Sequence, residues 1–202
     1  MPLWRARAPL VLASRSEIRR RLLVDAGLPV EVQPADIDER AVEAEAQAAD
    51  PAKVARLLAR AKAQAVAAKS PGRLVLGADQ TLALGAQRFS KPENREAAAA
   101  QLRALRGKTH RLHSAIALVQ DGALHFEQQA FADLTMRDFS DAFISDYLEA
   151  AGSAVCSSVG GYQLEGAGIQ LFARIEGDYF TILGLPLLPL LDFLRREGLL
   201  AR

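Results

Sequence analysis

Short apolar runs of strand length alternate with amphipathic helical patterns along the chain, and that alternation predicts an α/β domain. "PLVLAS" (9–14) is a buried strand that runs into Ser14 to Ser16, a helix N-cap. The helix that follows turns Ile18, Leu22, Leu23 and Ala26 inward and stops at Gly27. "PVEVQP" (29–34) is a second strand, leading to the acidic loop Asp36-Ile37-Asp38-Glu39. Asp50-Pro51 caps an Ala-rich helix reaching about Lys69, whose alanines helix propensity explains. "PENREAAAAQLRALRG" (92–107) is a helix with Ala98, Leu102 and Leu105 on one face. Two long strands meet at Asp121-Gly122, a hairpin signal. "SDAFISDYLEAAG" is helical, "GGYQLEGAGIQLFARIEGDYFTILG" is Gly-rich with strand character, and "LPLLPLLDFLRREG" is a closing helix from Pro186 to Gly198. The expectation is a mixed, strongly twisted sheet flanked by helices.

With 202 residues, half of them hydrophobic, the chain can bury a full core and fits one domain with two lobes. Twenty-five basic residues against 24 acidic ones give a net charge of +1, so no overall bias towards nucleic acid or membrane exists and any anion site must be local. The basic N-terminal stretch lacks the apolar core of a signal peptide. The longest apolar stretch is broken by Gly184, Pro186 and Pro189. These features predict a soluble cytoplasmic protein.

A single cysteine, Cys156, excludes an intrachain disulfide and a multi-thiolate zinc site, and reads as a small core residue. His110 and His113 fall on opposite faces of a strand and cannot share a metal, and His125 stands alone. Gly107-Lys108-Thr109 looks like the end of a phosphate-binding loop, but it lacks the earlier glycine and the strand-loop-helix order. Neither G-x-S-x-G nor G-x-G-x-x-G after a strand occurs.

The run Leu74-Val75-Leu76 ends at Gly77-Ala78 and delivers a lone carboxylate, Asp79, at the mouth of a strand. A buried carboxylate is costly unless paired, hydrogen-bonded or metal-bound, so Asp79 requires a partner. The turn and helix in "LASRSEIRRR" offer either a phosphate cradle made by Ser14, Ser16 and Arg19 or an ordinary capped helix with solvated arginines. Glu39, Asp79 and Glu165 are each unremarkable alone. Together with Lys62, Lys91 and Arg19 they match what phosphoryl chemistry needs: oxygen ligands for Mg²⁺ and cations for the transferred charge.

The ordered pieces "LVLASRSEIRRRLLVDAGL", "DIDE", "ARAKAQAVA", "LGADQ", "SKP", "LRGKTH", "GGYQLEGAG" and "IEGDYFTILGLPL" closely resemble the Maf family of nucleoside triphosphate pyrophosphatases along nearly the whole chain. The resemblance implies a single Maf-like domain over 1–202 with an ITPase-like (Maf/Ham1) fold and a central cleft between two lobes. It also implies hydrolysis of a nucleoside triphosphate to the monophosphate and pyrophosphate with Mg²⁺ or Mn²⁺. The family's functional positions fall on Ser14, Arg19, Glu39, Lys62, Asp79, Lys91 and Glu165, with Asp79 as the catalytic acid and Glu39 and Asp79 as metal ligands. The usual Ser-x-Ser-Pro-Arg-Arg is Ser14-Arg15-Ser16-Glu17-Ile18-Arg19 here. The usual Gly-Lys-Pro is Ser90-Lys91-Pro92, and Ser157 to Tyr162 keeps only Gly160 and Tyr162 of Asp-Lys-Ala-Gly-Ala-Tyr.

Three specificity positions implied by the resemblance fall on Ile18, Gln80 and Glu165. The pyrimidine type resembles Arg, Thr, Gln and the 7-methyl-GTP type resembles Trp, Gln, Glu, so two of the three agree with the latter. A carboxylate accepts two N–H donors from a guanine edge, whereas uracil or thymine flanks one N–H with acceptors. The expected substrate is therefore 7-methyl-GTP or a related modified purine nucleotide. The alternatives are a dTTP/UTP pyrophosphatase and a non-catalytic nucleotide-binding regulator of cell division. No nucleic-acid or membrane partner is expected, and a homodimer is left open.

Overall fold

The computed structural model describes residues 3–45 and 50–202. In chain order its regular elements begin with β1 (Leu10–Leu12), α1 (Glu17–Asp25), β2 (Val30–Val32), α2 (Glu39–Glu45), α3 (Pro51–Ala67) and β3 (Val75–Leu84). They continue with β4 (Gln87–Phe89), α4 (Arg95–Leu105), β5 (Thr109–Gln120), β6 (Ala123–Met136) and α5 (Asp141–Ala151). Three short 3-10 turns over 152–171 then lead to β7 (Phe172–Glu176), α6 (Tyr179–Ile182) and α7 (Leu187–Arg196). Strand neighbours follow the order β2-β1-β3-β5-β6-β7, with β4 beside β3, so the α/β class with a mixed sheet and helices is as expected.

The chain divides into two compact units. Among the described residues, the first comprises 3–45, 50–80, 113–130 and 178–202. Here β1 is the centre of a parallel trio: Val11 lies opposite Glu31 of β2 and Val75 of β3. Parallel strands need crossover connections, and α1 and α3 supply them. Helix α1 starts because the Ser16 side chain accepts the Arg19 N–H, and the chain leaves it through Gly27 at φ +80°. Helix α3 begins at Asp50-Pro51 as its cap signal predicts.

The alanines of α3 do more than favour helix. Ala55, Ala59, Ala63 and Ala67 form a buried face of small side chains that packs with Val11, Val75, Ala115 and Ala117. Gly77 of β3 meets that helix at close range: a Cβ there would stand 2.0 Å from the Ala59 carbonyl oxygen and 2.7 Å from the Ala63 nitrogen. Only glycine lets β3 lie this near the helix.

The second unit comprises residues 81–112 and 131–177. In it β4 runs antiparallel to β3, with Leu82 opposite Phe89, and β7 runs antiparallel to β6, with Leu134 opposite Ile175. Helix α4 buries Ala98, Leu102 and Leu105, as its spacing predicts, and α5 buries Ile144, Tyr147 and Leu148.

Several local expectations differ from what folds. Strand β3 does not stop before Asp79: it runs through it to Leu84, so the acid is mid-strand. Glu39 is not in a loop but is the first residue of α2, because Asp38 accepts the Ala41 N–H and starts the helix. The Gly-rich segment after Gly160 is a strand only over Phe172–Glu176. Gly160 and Gly161 at φ +80° and +74° turn the chain back on itself, and the Gly166 N–H bonds the Gln163 carbonyl at 3.3 Å. Cys156 is half-buried at the end of a 3-10 turn in which Val155, its neighbour, takes the buried position instead.

Candidate functional site

Asp79 is 7 % exposed, and the ion-pair partner it has is a lysine. Lys62 Nζ stands 2.5 Å from Asp79 Oδ1 and 2.7 Å from Glu39 Oε1, so one ammonium joins β3 to the first turn of α2. The sequence brings this about in steps. Gly77 seats β3 on α3 near Ala63, the residue after Lys62, and Asp79 follows Gly77 on the same face of the strand two positions on. Lys62 therefore meets Asp79 with most of its stem covered, its side chain 13 % exposed.

Arg19 is the second cation here, and it is tied to backbone. Its Nε donates to the Gly184 carbonyl at 2.9 Å, and Nη1 donates to the Ala78 carbonyl at 2.8 Å and to Ser14 Oγ at 3.3 Å. Ser14 Oγ also accepts the Ser16 N–H at 3.2 Å, which fixes the turn between β1 and α1. Burial pushes the Arg19 guanidinium below its ordinary value, while the charges of Asp79 and Glu39 pull the other way. Burial likewise raises the Asp79 carboxyl above its ordinary 3.8, against the opposing pull of Lys62 and Arg19. A carboxylate shifted upward is a better proton acceptor near neutral pH than a free one.

Gln80, next along β3, faces away from Asp79. Its amide nitrogen donates to Ser114 Oγ at 2.9 Å, the Ile182 carbonyl at 2.9 Å and the Thr181 carbonyl at 3.2 Å, and Ser114 Oγ donates to the same Thr181 carbonyl at 2.7 Å. With Arg19 on Gly184, three side chains satisfy the carbonyls where α6 ends. The amide nitrogen of Gln80 is thereby committed to protein acceptors. Ile18 is half-buried in the first turn of α1.

Lys91 and Glu165 belong to the second unit, and both are exposed. Glu165 sits in the turn between Gln163 and Gly168. Gln163 Nε2 donates to Ser157 Oγ at 2.9 Å, and a Cβ on Gly168 would meet the Gln163 carbonyl oxygen at 2.3 Å. The turn is anchored from below by buried Tyr162, whose hydroxyl shares a 2.7 Å hydrogen bond with His110 Nε2.

Of the nine expected site residues, the first unit holds Ser14, Ile18, Arg19, Glu39, Lys62, Asp79 and Gln80, and links Glu39, Lys62 and Asp79 directly. Sequence reasoning missed Ser114, Thr181 and Gly184 as partners and Gly77 as the spacer. A serine inside the apolar run "HSAIALV" was the one available signal for Ser114, since a buried hydroxyl demands a partner.

The Maf-like protein family model matches residues 9–197. The chain belongs to the Maf-like family. A relative from Bradyrhizobium diazoefficiens named nucleoside triphosphate pyrophosphatase is 57 % identical over 201 residues and is covered over 100 % of both chains. One from Rhizobium etli named 7-methyl-GTP pyrophosphatase is 56 % identical over 191 residues, 94 % of this chain and 96 % of that one. A solved Ham1 protein from Coxiella burnetii aligns over 64 % of this Maf-like chain and 73 % of its own at 18 % identity, with a TM-score of 0.41, too loose a likeness to bear on function. Among the described residues no helix is long and apolar enough to cross a membrane, and no group of three His, Cys, Asp or Glu side chains stands together as a metal site.

Proposed function

We propose that this Maf-like chain is a nucleoside triphosphate pyrophosphatase, a hydrolase that adds water at the α-phosphorus and releases a nucleoside monophosphate and pyrophosphate. The observation that carries this is the buried Asp79 carboxylate held by Lys62 and flanked by Arg19. Asp79 takes a proton from the attacking water as its oxygen bonds to phosphorus and the bond to the bridging oxygen of pyrophosphate breaks. Lys62 neutralises phosphate oxygens. Arg19, spent on backbone carbonyls, positions the chain around Asp79 and adds a fixed positive charge.

A divalent cation fits the donor set. Glu39 and Asp79 offer only hard carboxylate oxygens, and Mg²⁺ and Mn²⁺ bind through one or two such groups together with substrate phosphates. When bound, the cation supplies neutralisation of the charge on the phosphate oxygens.

Within this activity, 7-methyl-GTP is the proposed substrate. Support comes from the residue type at Glu165: a carboxylate accepts, and the guanine edge donates. The Rhizobium etli relative bears that substrate in its name, and the Bradyrhizobium diazoefficiens relative of nearly equal identity does not. Pyrophosphate release measured for 7-methyl-GTP, GTP, UTP and dTTP with Mg²⁺ tests both levels. Release from none of them, with tight nucleotide binding, would favour the regulatory alternative. Preference for UTP or dTTP would overturn only the base assignment.

A further inference from the structure

We propose that Lys62 is the resident cation of the Glu39 and Asp79 carboxylates, and that a divalent cation binds this pair by displacing the lysine ammonium. The inference deepens the pyrophosphatase reading and concerns the same site. A single Nζ stands at 2.5 Å from Asp79 Oδ1 and 2.7 Å from Glu39 Oε1. It holds the place between the two acids that the cation would take.

Without a polyanion present, charge disfavours ammonium and divalent cation together on this pair. Asp79 and Glu39 carry two negative charges, and Lys62 and Arg19 carry two positive ones, so the cluster is neutral as it stands. Carboxylate ligands approach a divalent ion to about 2.0–2.5 Å, which would leave the ammonium facing two like charges at close range. Arg19 cannot yield, because three hydrogen bonds tie it to Ala78, Gly184 and Ser14. Lys62 can: its ammonium is a point charge on a flexible stem with no bidentate geometry to lose.

Displacement also gives one side chain both its roles. Freed from the carboxylates, the ammonium is available to a triphosphate oxygen, and the polyanion offsets the added positive charge. Cation and triphosphate then bind synergistically, and cation alone binds weakly. The exposure of the Glu39 side chain, 51 % against 11 % for Asp79, makes the Glu39 half of the bridge the one that opens first.

The test needs no nucleotide. Free Mn²⁺ is followed by electron paramagnetic resonance at pH 8 with wild type, Lys62→Met, Lys62→Gln, and Lys62→Met combined with Asp79→Asn, each checked for cooperative melting. Removing the competing charge is expected to tighten Mn²⁺ binding about tenfold or more, and Asp79→Asn is expected to remove that gain. In wild type, saturating Mn²⁺ should raise the rate at which an amine-acylating reagent labels Lys62, read by mass spectrometry; this measurement stands if the variants fail to fold. Equal Mn²⁺ affinity in wild type and both single variants, or a gain that survives Asp79→Asn, overturns the proposal. So does unchanged labelling of Lys62. Turnover without these effects defeats this inference alone, and these effects without turnover defeat the pyrophosphatase reading alone.

Discussion

Lys62 and Asp79 meet at 2.5 Å because Gly77, two residues before the acid, has no side chain to hold β3 away from α3. The spacer and the ion pair are one device. Small residues on both sides of the contact bring two backbones together, and the long side chain beside them spans what is left.

Gly77→Ala tests that dependence. The added methyl would lie 2.0 Å from the Ala59 carbonyl oxygen and 2.7 Å from the Ala63 nitrogen, and helix backbone cannot give way as a flexible side chain would. The expected cost is about 3 kcal/mol of stability, the upper end for overpacking. Turnover should fall more than the melting temperature implies, since the shift separates Lys62 from Asp79. Urea unfolding together with kcat at a temperature where the variant is folded checks both.

Asp79→Asn should abolish turnover and leave the melting temperature equal or higher. Burial raises the carboxyl above 3.8, so the folded chain holds that proton more tightly than the unfolded chain. Ionisation then subtracts stability as pH rises from 3.8 through the raised value, and a neutral amide avoids the loss. A melting temperature several degrees lower at pH 8 would mean that pairing with Lys62 outweighs burial.

What the sequence showed plainly was local. Ser16 as a cap, Gly27 as a stop and the Asp121-Gly122 turn, at φ +49° and +79°, depend on residues a few positions apart. The acid was legible as needing a partner. Its position in mid-strand was not, because the lysine that lets β3 continue through a carboxylate lies seventeen residues earlier on α3. The link from Gln80 to Thr181 and Ile182 spans about half the chain, and no periodicity records it. In the segment 160–171 the glycines were visible, but whether glycine marks a bulge in a strand or a reversal depends on what packs beneath, here Tyr162 and His110.

His110 should give the fold an acid-sensitive term with no part in turnover. It is buried, and that burial holds its pKa down to about 4 from 6.5. Between those values the unfolded chain takes up a proton that the folded chain refuses. The stability present above pH 6.5 is therefore lost as pH falls towards 4, by about 3 kcal/mol in all. Denaturant unfolding at pH 7.5 and pH 4.5 should show a smaller difference for His110→Gln than for wild type. An identical pH dependence would show that His110 carries no such term.

Arg19→Lys should behave as a loss rather than a conservative change. A guanidinium reaches the Gly184 and Ala78 carbonyls from two nitrogens at 2.9 and 2.8 Å, and an ammonium cannot hold that fork. Leaving one buried carbonyl unpaired costs about 1–3 kcal/mol. The expected result is a lower melting temperature with kcat reduced and KM little changed, because the residue orders the backbone beside Asp79. A raised KM with unchanged stability would instead make Arg19 a direct phosphate ligand.

Glu165→Gln tests the proposed base contact. Glu165 is exposed on a turn whose shape is set by neighbours: Gln163 bonded to Ser157, Gly168 against the Gln163 carbonyl, Tyr162 fixed by His110. The substitution keeps size and removes charge, so the melting temperature should not move. A carboxylate offers two acceptors to the N1–H and N2–H of guanine and favours the positive ring of a 7-methylated base. An amide offers one acceptor and one donor, the pattern that suits the alternating edge of uracil or thymine. The expected outcome is a fall in kcat/KM for 7-methyl-GTP of about tenfold, roughly the worth of one charged hydrogen bond, with UTP and dTTP unchanged or improved. Equal losses for all substrates would place Glu165 on the phosphate side of the reaction, and no loss for any would remove it from recognition altogether.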